Sequence, residues 1–270
     1  MKKLWLILMI CFVCPGVFAQ ANTDANAAKD NTEEEINTGQ DITKPLSRLD
    51  IRLKLQQTTG NYDTAMTTLR LDVPFKFKNG WQLATRFDLP LVRSDVPSRD
   101  NPRGDYEFGT GDVLTQFLLI APPKGRRAYA FGTQVLFPTG SQDQMGTGKY
   151  QLVPTVAAVY YPESWSKGSF AGIMIRDGFD FAGKDDRKHI HELYVQPLVN
   201  INLPERWFVT FAPEMKMNWL DDNKWFVPFD VILGKLINKS TVVSLEFKQA
   251  VVNDYDLYDW EIEFRIGFFF

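Results

Sequence analysis

The chain has 270 residues, of which 44% are hydrophobic, 14% aromatic and 23% charged, with a formal net charge of -3. Together with a mean hydropathy of -0.22, these averages exclude a collagenous, disordered or disulfide-scaffold chain and describe an ordinary soluble globular protein. No basic surplus exists to release phosphate counterions, so nucleic acid is not an expected partner, and two histidines leave little room for metal or acid-base chemistry.

The order of the residues tells a different story from their average. Lys2 and Lys3 precede an apolar run from Leu4 to Val13, and Pro15-Gly16 breaks it before Val17-Phe18-Ala19. Residues 1–19 therefore read as a cleaved secretory signal peptide, because the run is about half of the ~20 residues a membrane helix needs. Cys11 and Cys14 follow Ile10 and Val13 instead of small residues, which disfavours lipidation, and both leave with the signal. Loss of Lys2 and Lys3 leaves 28 basic against 33 acidic residues in the exported chain. Residues 20–46 are small and polar, with Glu33-Glu34-Glu35 in a row and Ile36 and Ile42 almost the only large apolar side chains. They are expected to form a flexible periplasmic tail, or a short helix outside the main fold.

From residue 47 onward period-two alternation dominates. Leu49, Ile51, Leu53 and Leu55 interleave with Asp50, Arg52, Lys54 and Gln56, and Leu69, Leu71, Val73, Phe75 and Phe77 interleave with Arg70, Asp72, Pro74 and Lys76. The helical period appears nowhere at comparable length, so the chain is expected to be all-β and antiparallel. With Lys78-Asn79-Gly80 as a three-residue loop and Gly80 left-handed, Phe75 opposes Leu83 and Leu71 opposes Phe87. Arg70 then meets Asp88 and Asp72 meets Arg86, and opposite charges directly across a ladder favour this register over a slip by one. Continued along the chain, the pattern gives about twelve strands over residues 47–270, joined by connections that are alternately short and long.

That arrangement suits a transmembrane barrel with short periplasmic turns and longer outer loops, whereas a soluble sandwich or lipocalin-like barrel would also alternate. Tryptophan placement separates the two. Trp81, Trp165 and Trp207 fall at short-turn ends, and Trp219, Trp225 and Trp260 at long-loop ends. A soluble core would use some of them mid-strand, while two aromatic belts at lipid–water boundaries account for all six. The last strand carries Trp260, Ile262, Phe264, Ile266, Phe268 and Phe270 on one face. It resembles the C-terminal strand of bacterial outer-membrane proteins, in which a terminal Phe, here Phe270, is an assembly signal read by the barrel-assembly machinery. The resemblance implies a Gram-negative outer membrane, with the lipid bilayer and lipopolysaccharide as surroundings.

Six prolines lie inside expected strands: Pro74, Pro90, Pro154, Pro197, Pro213 and Pro228. Each removes a ladder donor from a sheet that has no edge. Pro197 and Pro213 oppose each other mid-wall, as a local bulge or as a weakened seam through which an apolar solute could leave sideways.

The face opposite the lipid side collects the charges: Arg52, Lys54, Arg70, Asp72, Arg86, Asp88, Glu214, Lys216, Asp230, Glu246, Lys248, Glu261, Glu263 and Arg265. Both signs are interspersed, which fits cross-strand bracing better than the one-sign ring of a strongly selective pore. Strand closure places Glu261 and Glu263 near Arg52 and Lys54. The middle strands are expected to give the lumen an apolar side built from Leu114, Leu118, Leu136, Ile173, Ile175 and Phe179. That side is either packing that fills a narrow barrel or a track for apolar or amphipathic small molecules.

Gly109-Thr-Gly-Asp112-Val-Leu-Thr-Gln116, Phe137-Pro-Thr-Gly140 and Gly146-Thr-Gly-Lys149-Tyr-Gln-Leu-Val-Pro154 resemble a bacterial outer-membrane family labelled as transporters or meta-pathway phenol-degradation proteins. The likeness covers about a quarter of the chain and implies a barrel admitting small, often hydrophobic or aromatic, compounds by passive diffusion. Gly146-Thr-Gly-Lys149 is not a phosphate loop, because Asp143 and Tyr150 stand where Gly and Ser or Thr are required. A barrel hydrolase is the rival from another class. Neither His189 nor His191 has the partner spacing of the outer-membrane phospholipases or proteases, and two histidines without a third ligand make a weak metal site. A third class, a surface-interaction or structural barrel, rests on loop aspartates such as Asp221, Asp222, Asp254, Asp256 and Asp259. The sequence thus predicts a non-enzymatic channel without cofactor, metal or catalytic residues, handling a small-molecule solute.

Overall fold

The computed structural model describes residues 37–270 apart from 59 and 256. The expected signal peptide and residues 20–36 lie outside the described part. Alternating apolar and polar side chains extend the backbone into β1 (Arg48–Thr58), β2 (Tyr62–Lys76), β3 (Gln82–Ser94), β4 (Glu107–Thr110 and Val113–Ile120), β5 (Arg127–Phe137) and β6 (Lys149–Tyr160). They continue as β7 (Phe170–Gly183), β8 (His191–Asn202), β9 (Trp207–Phe211 and Met215–Asn218), β10 (Lys224–Asn238), β11 (Thr241–Asn253) and β12 (Trp260–Phe269). Every strand pairs antiparallel with its sequence neighbours. β12 returns to β1 with Leu53 opposite Phe264 and Lys54 opposite Glu263, so the sheet closes into a barrel of twelve staves that leaves no row of unpaired backbone groups.

The β2–β3 hairpin has the register that the charges specify. Arg70 opposes Asp88, Asp72 opposes Arg86 and Phe75 opposes Leu83, and Gly80 carries the positive φ of 84° that the three-residue loop requires. One outer connection is tighter than its sequence suggests, since β2 already begins at Tyr62 and only residues 59–61 join it to β1.

The two staves that break do so opposite prolines. Pro90 has no N–H to offer, and β4 is interrupted beside it at Gly111-Asp112, where Gly111 N donates to the Pro90 carbonyl. β9 is interrupted over residues 212–214, with Pro213 itself in the gap and Pro197 at the facing register of β8. Side chains stitch this gap: Gln196 Nε2 donates to the Ala212 carbonyl at 3.0 Å, and Arg176 holds Glu214. Pro228 sits at a register shift between β10 and β11.

The barrel is inside-out relative to a soluble domain. Leu53, Phe75, Phe131 and Leu245 are about half exposed on the outer wall, whereas Asp50, Asp230, Arg265 and Glu261 are buried inside it. An apolar exterior around a polar interior is the surface a bilayer solvates. The aromatic positions agree with it. Trp81 and Phe131 meet edge-to-face at 6.1 Å near one rim and Trp207 lies under Lys235, while Trp219 packs on His191 and Trp260 Nε1 donates to Gln57 at the other. Trp165 occupies the β6–β7 turn and Trp225 the start of β10, both half-buried.

Candidate functional site

The lumen is lined on one side by the even-numbered residues of β1, β2 and β3 and the odd-numbered ones of β12, because period two sends these to the inner face. Arg48 Nε and Arg86 Nε grip the two oxygens of Asp72 at 2.6 and 2.8 Å. Arg70 takes Asp88 as a fork, with contacts of 2.7 and 2.6 Å, the geometry in which guanidinium–carboxylate pairs are strongest. Arg52 reaches Glu263 at 2.9 Å and Asp50 at 3.1 Å, and Lys54 lies 3.4 Å from Glu261. Lys248 bridges Glu246 and Glu261, each at 2.9 Å, beside the buried Asp230. Across the lumen, Arg176 meets Glu214 at 2.5 Å and Lys216 lies 3.5 Å from the same carboxylate. The network includes two residues not assigned to the lumen from sequence, Arg48 and Asp50. They simply continue the alternation of β1 to its first residues.

The apolar side is partly as expected. Leu114 and Leu118 line the cavity, and Leu136 faces inward opposite Leu114. Ile173, Ile175 and Phe179 do not belong to it. Ile173 and Ile175 point to the lipid side, paired with Ala158 and with the exposed Val156. Phe179 meets His191 edge-to-face in an outward cluster with Trp219. Met174 and Arg176 take the inner positions instead. Over Phe170–Ile175 both faces of β7 are apolar, and Arg176 decides the parity: a guanidinium turned to hydrocarbon would be costly, whereas inward it finds Glu214. With Leu118, Met174, Ala84, Leu198 and Ala212, the inner wall forms a buried apolar cluster against which Ile42 packs.

Ile42 belongs to the segment expected as a free tail. Residues 37–46 instead run into the barrel, since Gly39 through Ile42 and Lys44 through Leu46 line the same cavity. Asp41 caps its own turn through Thr43 N at 2.8 Å and accepts a hydrogen bond from Tyr161 Oη at 2.5 Å. Lys44 stacks on the Tyr161 ring, and Arg48 Nη1 donates to the Gly39 carbonyl at 2.7 Å. The segment thus crosses the barrel end where the chain termini and short turns lie. Above it remains a cavity of about 350 Å³, within the range of small-molecule sites.

The glycine-rich motifs lie at the other end. Asp112 turns to the β5–β6 loop and accepts from Gly140 N, Thr147 N and Thr147 Oγ1 at 3.0, 2.6 and 2.8 Å. Gly140 and Gly146 are small because they touch: a Cβ on Gly146 would stand 2.3 Å from Asp112 Oδ1. From this loop Asp143 receives Arg187 at 2.6 Å and Arg99 at 3.4 Å. Arg99 also pairs with Asp186 at 2.5 Å, and this hydrogen bond holds the Asp186 carboxyl below its usual range. Three outer loops are therefore tied together. The histidines lie apart from the lumen: His189 Nδ1 is 3.0 Å from Asp180, and His191 Nε2 3.4 Å from Asp177 on the outer face. Among the described residues, no group of three or more His, Cys, Asp or Glu is placed to hold a metal ion.

No protein-family model matches the chain, and neither does any curated protein sequence. Solved structures do. An outer-membrane channel from Pseudomonas putida F1 is 12% identical with a TM-score of 0.68, over 90% of this chain and 100% of that one. The NanC porin is 14% identical with a TM-score of 0.56, over 82% of this chain and 98% of that one. The KdgM porin in complex with disordered oligogalacturonate is 9% identical with a TM-score of 0.52, over 83% and 99%. The chain is similar to outer-membrane β-barrel channels in fold.

Proposed function

We propose that this protein is a channel of a Gram-negative outer membrane that passes small molecules by passive diffusion, without covalent chemistry. The observation that carries the reading is a closed barrel with an apolar exterior and an ion-paired interior that still holds an unfilled cavity. A structural barrel would have no need of that cavity. The likeness in fold to porins, one of them solved with an oligogalacturonate, supports the same class. The resemblance of the three glycine-rich motifs to the meta-pathway phenol-degradation outer-membrane family supports small, partly apolar or aromatic solutes. In this reading the barrel is surrounded by phospholipid and lipopolysaccharide, and the assembly machinery reads its last strand.

Planar-bilayer recording of the purified protein tests it. The wild type is expected to give small conductance steps, because residues 37–46 occupy one mouth. Asp41→Ala combined with Tyr161→Phe removes the tie at that mouth and is expected to raise the conductance several-fold. Absence of current and of solute flux in both proteins would overturn the channel reading.

A further inference from the structure

The charges of the lumen are paired across most rungs, and like charges stand directly opposite each other at two places: Glu246 meets Glu263, with Lys54 across from Glu263 and Lys248 2.9 Å from Glu246, and Arg52 meets Arg265 with no such carboxylate on its rung. Arg48, Asp72 and Arg86 form one rung, and Asp50, Arg70 and Asp88 the next. On the following rung Arg52 of β1 stands directly opposite Arg265 of β12, and its other members are Thr68 and Ser244. Like charges directly opposite each other in a ladder are destabilising, and no carboxylate belongs to this rung.

Their donors are also underused. Arg265 is buried, with 3% of its surface exposed, yet its Nε and Nη2 have no hydrogen-bond partner, and neither does Arg52 Nε. Asp50 Oδ2 lies 3.2 Å from Arg265 Nε but outside hydrogen-bond geometry, and it also serves Arg52 and Arg48. Buried N–H groups left without acceptors are costly and are rare unless something else satisfies them. Both arginines line the cavity, and across it lie Leu118, Met174 and Leu198.

We infer that the cavity is a binding site for small amphipathic carboxylates, with the carboxylate between Arg52 and Arg265 and the apolar body against the opposite wall. This rests on the channel reading and narrows its solute from apolar compounds in general to organic anions of about the size of benzoate. A neutral aromatic would leave the unpaired guanidinium donors unmet, and a bare anion would leave the apolar wall unused. The Gly39 carbonyl on neighbouring Arg48 shows that the arginine wall already accepts an oxygen ligand from within the lumen.

Titration calorimetry on the purified, detergent-solubilised full chain with benzoate, benzyl alcohol and acetate tests the site. Benzoate is expected to bind at least ~10-fold more tightly than either of the others, a ratio worth about 1.4 kcal/mol. Arg52→Gln and Arg265→Gln should each abolish that preference while leaving benzyl alcohol unchanged, and Arg126→Gln, in a short turn outside the lumen, should change nothing. If Arg265→Gln fails to form a barrel, Arg52→Gln and the three wild-type titrations decide the matter. Equal binding of benzyl alcohol and benzoate would overturn the inference, as would equal binding of acetate or a benzoate affinity indifferent to both substitutions. Conductance without benzoate binding removes the site and keeps the channel, whereas benzoate binding without conductance does the reverse.

Discussion

Arg176 shows what a single side chain decides in a lumen. It is the only cation on the inner face of β7, and its partner Glu214 stands in the gap of β9 where the backbone ladder is interrupted. Removing one member of a buried pair strands the other charge, at about 3–5 kcal/mol, while replacing both with apolar residues is often neutral. Because Lys216 stays 3.5 Å from Glu214, the charge left behind is only partly stranded, so Arg176→Ala is expected to lower the stability measured by urea unfolding in detergent by about 1.5–3 kcal/mol, and Arg176→Met with Glu214→Leu to recover most of it. Equal losses in the single and double variants would mean that the pair does not act as a unit. At the outer rim, Asp186 behaves differently because it is exposed. Its carboxyl is held below the ordinary value of 3.8 by the Arg99 hydrogen bond, so the tie is present wherever the carboxylate is ionised and disappears only as pH falls through that lowered value. With the intrinsic pH dependence of amide exchange divided out, the protection factors of the loop 95–106 should accordingly stay flat from pH 8 to pH 5 and fall only below about pH 4. Loss of protection already near pH 6 would mean that the Arg99–Asp186 pair does not hold the loop.

At the scale of elements, the strands were legible because period two is imposed by the backbone itself, and the β2–β3 register because its two swapped charge pairs tolerate no slip. The parity of β7 was not. Alternation specifies a face only when the two faces differ, and Ile173, Ile175, Met174 and Phe170 make both apolar. The N-terminal segment was hidden for another reason: its hold depends on Tyr161, which is 120 residues away from Asp41 in sequence. A polar composition records only that such a segment cannot fold alone. The glycine motifs were visible as motifs, but their role was not, since it lies in Asp112 turning away from the wall to bind the loop. Asp112→Ala removes three acceptor contacts from residues 140 and 147. Limited proteolysis should then cut within residues 139–148 at least ~10-fold faster than in the wild type, while the barrel keeps its heat-resistant mobility on gels. Gly146→Ala, whose added methyl would strike Asp112, should reproduce the effect without removing any polar group.

For the whole molecule, closure is the property that makes the other scales possible. A barrel has no marginal edge, so β1 and β12 must find each other before the ladder is complete, and they are the first and last strands among the described residues. That pairing has the longest sequence separation in the fold, and contacts of this kind are the slowest to form. Phe270 stands just beyond it. Its side chain is three-quarters exposed on the outer wall, and its backbone N donates to the Ser47 carbonyl, so it contributes little to the finished barrel. An exposed aromatic with little to hold in the folded state is suited to being recognised before folding. Deleting Phe270 is therefore expected to leave refolding into detergent micelles nearly unchanged, within about 0.5 kcal/mol, as for surface positions generally. The amount of barrel assembled in outer membranes of cells should fall several-fold. Parallel loss in micelles and in cells would show that the residue closes the barrel and does not signal its assembly.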